Sequence, residues 1–168
     1  MQHDLGGPFI TGATASPVPL RTIVVSAQPV VNGVAMNYRE AANPTQRGSY
    51  VLNRWAAPPA AMVEAALTRL MAVSGTGRCR LQVSLSDFIV DIDKAGDARA
   101  VLAADLRIVG DASVPSAQRS VDIAVPMPRA EPAAGALALR QAVQKLGETA
   151  AMWLGGDVGR ACKVKADL

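Results

Sequence analysis

A chain of 168 residues, half of them hydrophobic, has the size and apolar content of a single domain with its own core. Six aromatic residues, two each of Phe, Tyr and Trp, and a net charge of +3 spread over 17 basic and 14 acidic side chains speak against a nucleic-acid binder, which needs stacking rings beside a basic stripe. No stretch approaches the ~20 apolar residues that a membrane-spanning helix needs.

The elements follow in chain order. Residues 1–20 are rich in Gly, Pro, Ser and Thr and are expected to form a flexible N-terminal arm or tether, ahead of one α+β domain over 21–168. The start of the chain lacks the charged and apolar regions of a signal peptide, which fits either a cytosolic chain or one whose export signal has been removed. Residues 22–28 (TIVVSAQ) read as a buried strand closed by Pro29. A second strand over 34–38 follows the Asn32-Gly33 turn pair, and a third covers 49–52. Pro58 and Pro59 suit the first turn of a helix, where a missing N–H is not needed. Met62, Ala66, Leu70 and Val73 then recur at helical spacing, and Gly75 with Gly77 is expected to end the helix.

Leu81, Val83 and Leu85 alternate with polar residues, but from Phe88 the phase switches, with Phe88, Val90 and Ile92 on the apolar side. A period-two pattern changes phase only by inserting a residue, which predicts a bulge near Ser86–Asp87. The loop 93–97 makes a hairpin, and the return strand 98–109 places Ala100, Leu102, Ala104, Leu106 and Ile108 on one face. A strand over 119–125 carries Val121, Ile123 and Val125 inward and is expected to break at Pro126 and Pro128. The second helix spans 133–154 with Leu139, Val143, Leu146, Ala150 and Trp153 as its stripe, stopped by Gly155-Gly156. The tail 158–164 reads as a last edge strand. The order β-β-β-α-β-β-β-α predicts an α+β fold: a mixed, mainly antiparallel sheet with one parallel pair across the first helix, and both helices packed on one face.

Catalytic chemistry finds little support. The one histidine, His3, lies in the arm, so the folded part lacks the commonest general base and metal ligand. No nucleophile elbow, phosphate-binding loop or dinucleotide motif stands at a strand–helix junction. Asp87, Asp91, Asp93 and Asp97 form an acidic cluster in which Asp91-x-Asp93 followed by Gly96 superficially matches a calcium loop, but its fifth position is Ala95 and its twelfth Leu102 instead of a bidentate glutamate; as part of a hairpin they serve the turn and the wet face. The expectation is a non-enzymatic protein without cofactor or metal. Cys79 and Cys162 are too far apart for redox or zinc motifs. They are a candidate disulfide in an oxidising compartment, or else two buried thiols.

The most distinctive stretch is Tyr50-Val51-Leu52-Asn53-Arg54-Trp55-Ala56-Ala57-Pro58-Pro59. A large ring at a strand-to-helix corner can plug the end of the core. Tyr50, Arg54, Trp55, Ala56, Pro58 and Pro59 also match a pattern of the ABC-type transport auxiliary lipoprotein family, and the chain resembles that family over roughly 22–154. The resemblance implies a Gram-negative, outer-membrane-anchored lipoprotein facing the periplasm. It would accompany an ABC permease and ATPase with an MCE-domain protein in phospholipid trafficking or outer-membrane integrity. No family lipid-anchor cysteine precedes the arm here, so the anchor is expected in the native precursor. Contact surfaces are expected at the corner (Tyr50, Arg54, Trp55, Pro58, Pro59) and on the wet face of the 81–109 hairpin, and exposed sheet edges make a homo-oligomer an option. The alternative is a lipid-binding carrier that shields acyl chains in an apolar cavity of its own.

Overall fold

The computed structural model describes residues 1–7 and 14–163. The strand with the clearest alternation is its axis. β5 (Cys79–Ile92) turns Leu81, Val83 and Leu85 toward the core, then Phe88 and Val90 toward the same core. Between them Ser86 is the extra residue: Leu85 pairs with Ala104 and Asp87 with Ala103 of β6 (Ala98–Val109), as the phase change predicts. β7 (Ala117–Met127) pairs antiparallel with β6 and forms an edge of the sheet. It runs through Pro126 instead of breaking there, because an edge strand has a solvent side on which proline's missing N–H leaves no ladder bond unmade.

The other edge of β5 is shared. β2 (Leu20–Ala27) lies parallel to its first half, Ile23 opposite Leu81 and Ala27 opposite Leu85. β3 (Ala35–Glu40) lies parallel to its last residues, Tyr38 opposite Val90 and Glu40 opposite Ile92. β4 (Gly48–Trp55) pairs antiparallel with β3, and β1 (Gln2–His3) adds a short parallel strand beside β4. The expectation of a single parallel pair is therefore corrected. β2 and β3 do not fold back on each other; they run in the same direction along β5, separated by residues 28–34, which leave the ladder near the bulge.

The arm is also corrected where it is described. Gln2 and His3 join the sheet, and Leu5, Thr14 and Val18 are buried. The reason lies in α1 (Pro59–Leu70), whose last carbonyls have no partner within the helix. Thr14 Oγ1 donates to the Leu70 carbonyl and the Ser16 N–H to the Met71 carbonyl, each at 2.9 Å. Residues 8–13 lie outside the described part.

Val63, Ala66, Leu67 and Leu70 form the buried face of α1, while Met62 and Val73 are half-buried, so the stripe is turned slightly from the expected one. α2 (Pro132–Gly155) buries Leu139, Val143, Leu146 and Ala150 as its spacing predicts. α1 packs against β2 and α2 against β6 and β7, and all join one cluster with the inward residues of the sheet. A short helix, α3 (Asp157–Arg160), stands where an edge strand over 158–164 is expected from sequence; Val164 lies outside the described residues.

α1 stops before the expected glycines. The Val73 N–H reaches the Thr68 carbonyl at 3.2 Å and the Ala72 N–H reaches Arg69 at 3.1 Å, the paired bonds of a Schellman stop. That stop needs a left-handed residue, and the residue there is Ala72, with φ of 47° and an exposed side chain. Replacing it, Ala72→Gly, removes the Cβ clash and no packing; the unfolding free energy should rise by about 0.5–1 kcal/mol, read as a higher urea midpoint at unchanged slope.

Candidate interaction site at the 50–59 corner

β4 is irregular in a way that shapes its surface. Arg54 pairs with Ala35 and Ser49 with Asn37, so four residues of β4 stand opposite Met36 alone. In this wide bulge the side chains lose strict alternation. Tyr50 turns in against Tyr38, ring centres 5.0 Å apart, and its hydroxyl donates to the Ala130 carbonyl at 3.2 Å. Burial, reinforced by the neighbouring Tyr38, raises the Tyr50 phenol above its usual pKa. Val51 and Leu52 turn out together, 95% and 79% exposed.

At the end of the strand the pattern reverses. Trp55 is 2% exposed and its ring lies 5.3 Å from that of Phe88, centre to centre, so it closes the end of the core as the corner position predicts. Its backbone N–H donates to Val34 and that of Ala56 to His3, at 2.7 Å each, which ties the corner to the loop before β3 and to β1. His3, expected to be loose, also faces Asn53 Oδ1 at 2.8 Å. Pro58 caps α1 without a side-chain bond, Pro59 is buried at its first turn, and Arg54 is exposed. Of the five corner residues singled out in the sequence, Trp55 and Pro59 thus face the core, Tyr50 is half-buried, and Arg54 and Pro58 face solvent. Val51 and Leu52 were missed. Two adjacent apolar residues in a strand signal only that one of them must leave the core, and the bulge that turns both outward leaves no mark in the sequence.

The wet face of the 81–109 hairpin carries the acidic cluster. Asp91 takes Arg39 at 2.9 Å and Asp87 takes Arg47 at 2.6 Å, with Arg39 bridging to Asp87 at 3.4 Å. The Asp91 bond, with smaller contributions from both carboxylates, holds the Arg39 guanidinium above its usual pKa against the cost of burial. Asp93 instead organises the turn, accepting from the Ala95 and Asp97 N–H groups at 2.8 and 2.9 Å. Among the described residues, no three His, Cys, Asp or Glu side chains are placed to share a metal ion. The end of the sheet bears an open depression of about 410 Å³ edged by Arg39, Asp91, Asp97 and Arg99. A second, of about 370 Å³, lies on the helix-free face among Ser26, Gln82, Ser84, Asp105 and Arg107. Cys79 and Cys162 are joined in a disulfide that is fully buried at both ends.

This architecture is similar to that of protein XCC0632 from Xanthomonas campestris, described as DUF330, with a TM-score of 0.77 over 91% of this chain and 93% of that one, at 19% identity. It is also similar to an uncharacterized protein, with a TM-score of 0.68 over 91% of this chain and 97% of that one, at 12% identity. The likeness is one of fold. No family model and no curated protein matches the chain.

The inward and outward residues of the corner should separate on substitution. Trp55→Ala should cost about 3–5 kcal/mol of unfolding free energy, because it empties the closed end of the core. Arg54→Ala, on the exposed side, should stay within about 0.5 kcal/mol. Chemical denaturation of both variants beside the parent checks the contrast.

Proposed function

We propose that this protein is a non-enzymatic accessory subunit of an ABC/MCE-type transporter, held in the periplasm and acting by protein–protein contact in phospholipid trafficking or outer-membrane integrity. The observation that carries the reading is the corner itself. One short segment anchors a tryptophan in the core and, three and four residues earlier, turns Val51 and Leu52 almost wholly outward. A rigidly mounted pair of exposed apolar side chains beside a free-standing Arg54 has the make-up of a contact point for another protein.

Three further features support the reading. The fold is that of the DUF330 structure, consistent with the resemblance of 50–59 to the ABC-type transport auxiliary lipoproteins. A buried disulfide suits an oxidising compartment such as the periplasm. Charged side chains of the wet face and its turn are engaged in hydrogen bonds and ion pairs, where a partner can meet them. The carrier alternative draws less support: Ala41, Pro44, Ile92, Ala98 and Pro126 line part of the first depression, but both depressions stand open to solvent where acyl chains need a closed apolar sleeve.

A photo-crosslinking side chain placed at position 51 or 52, in Gram-negative cells that also make the cognate MCE-domain protein, should give one dominant adduct with that protein. The pair Val51→Asp and Leu52→Asp should abolish an adduct formed from position 54 while leaving the unfolding midpoint unchanged. Adducts spread over unrelated proteins, or an undiminished adduct in the double variant, would count against this reading.

A further inference from the structure

The sequence scatters its basic residues, and the fold gathers many of them at one end of the sheet. That end is where β2 and β5 begin and β6 hands over to β7. Leu20 stands beside Cys79, Arg80 opposite Val109 and Ile108 opposite Ala117. Arg21 reaches the Gly77 carbonyl at 3.4 Å, and the bond from Cys79 to Cys162 brings Arg160 and Lys163 to the same end. Take this end as far as the row of Gln82, Arg107 and Gln118, with its connections 72–78 and 110–116 and the stretch 155–163. It holds six basic side chains, Arg21, Arg78, Arg80, Arg107, Arg160 and Lys163, and two acidic ones, Asp111 and Asp157. Six against two is a net charge of +4, where the whole chain has +3.

Both acids are already engaged, Asp111 by Arg78 at 3.0 Å and Asp157 by Arg160 at 3.2 Å. Asp105, one row further in, accepts from the Ser120 hydroxyl at 2.5 Å. Arg21, Arg80, Arg107 and Lys163 are exposed, and among the described residues none of the four has a carboxylate within ion-pair distance. The other end of β5 is different: Arg39, Arg47 and Arg99 there all face Asp87 or Asp91. Unpaired like charges held side by side give one end of the molecule a standing positive potential. The last turn of α2 adds apolar surface to it. Gly155 lies against Pro17, just ahead of β2, and shortly before it Met152 is 80% exposed and Trp153 half-buried.

We infer that this basic end is a docking surface for the phosphate headgroups of an anionic lipid membrane. Guanidinium forks match phosphate oxygens in pairs, and basic residues beside a tryptophan and an exposed apolar side chain suit the boundary between headgroups and acyl chains. An acidic protein would use the charges but has less use for Met152 and Trp153. The inference needs neither the 50–59 corner nor a transporter partner, so either reading can fail without the other.

Co-sedimentation of the full chain with lipid vesicles tests it. The protein should bind vesicles of phosphatidylcholine mixed with phosphatidylglycerol and not vesicles of phosphatidylcholine alone. Binding should be lost at about 1 M salt, where the screening length falls to about 3 Å. The pair Arg80→Glu and Arg107→Glu should lower the partition coefficient at least about 30-fold, since each basic residue near such a surface is worth about a factor of five. The pair Lys94→Glu and Arg129→Glu changes the net charge equally at the opposite end and should keep most of the binding. Inorganic phosphate added at constant ionic strength should displace nothing. Binding that ignores lipid charge or salt, or an equal loss in both pairs, would overturn the proposal. So would displacement by inorganic phosphate, which assigns a discrete phosphate site, or equal affinity for soluble polyglutamate, which assigns an acidic protein.

Discussion

One strand with a single extra residue organises this molecule. β5 must keep its apolar side chains on the helix side along 14 residues, and its sequence changes phase halfway. The bulge at Ser86 reconciles the two, and it does so where the strand also changes neighbours, from β2 before it to β3 after it. Residues 28–34 leave the sheet at this level, the Gln28 N–H making a last bond to the Leu85 carbonyl at 3.1 Å. β3 in turn carries β4, and β4 carries the corner with Trp55 inward and Val51 and Leu52 outward. The position of the candidate contact point is inherited from the bulge.

The two faces that β5 separates do different work. On the helix side, α1 and α2 close over Leu81, Leu85, Leu102 and Leu106, all fully buried. On the other side stand Arg39 and Arg47 with Asp87 and Asp91, each about a fifth to a quarter exposed. Ion pairs in such partly wet positions contribute on the order of 0–1 kcal/mol each, so their main effect is positional: they fix β3 and the segment after it against β5. A face of this kind holds its charges in fixed positions at the surface.

Much of this was legible in the sequence because alternation and helical spacing respond directly to burial. The phase change before Phe88 gave the bulge, and the even-numbered apolar residues of 98–109 gave β6. The stripe from Leu139 to Ala150 gave α2. What stayed hidden depends on backbone groups, which carry no residue signature. The arm docks because the Leu70 and Met71 carbonyls at the end of α1 need donors, and nothing in Thr14 or Ser16 announces that. β1 is two residues long, below any periodicity. The parallel placement of β3 follows from residues 28–34 travelling onward along β5, whereas the Asn32-Gly33 pair reads equally well as a hairpin turn. At the corner, the strand-to-helix position placed Trp55 in the core as the structure has it, while the outward turn of Val51 and Leu52 arose from a bulge that composition cannot show.

The central claim is that the extra residue in β5 assigns every inward side chain on both halves of the strand. Urea unfolding of the chain with Ser86 deleted tests it most directly. The deletion should turn either Leu81, Val83 and Leu85 or Phe88 and Val90 onto the wet face. It should thereby remove most of the unfolding free energy, on the order of 5–15 kcal/mol for a domain, or abolish the cooperative transition. A cooperative transition with the parent midpoint would contradict the account.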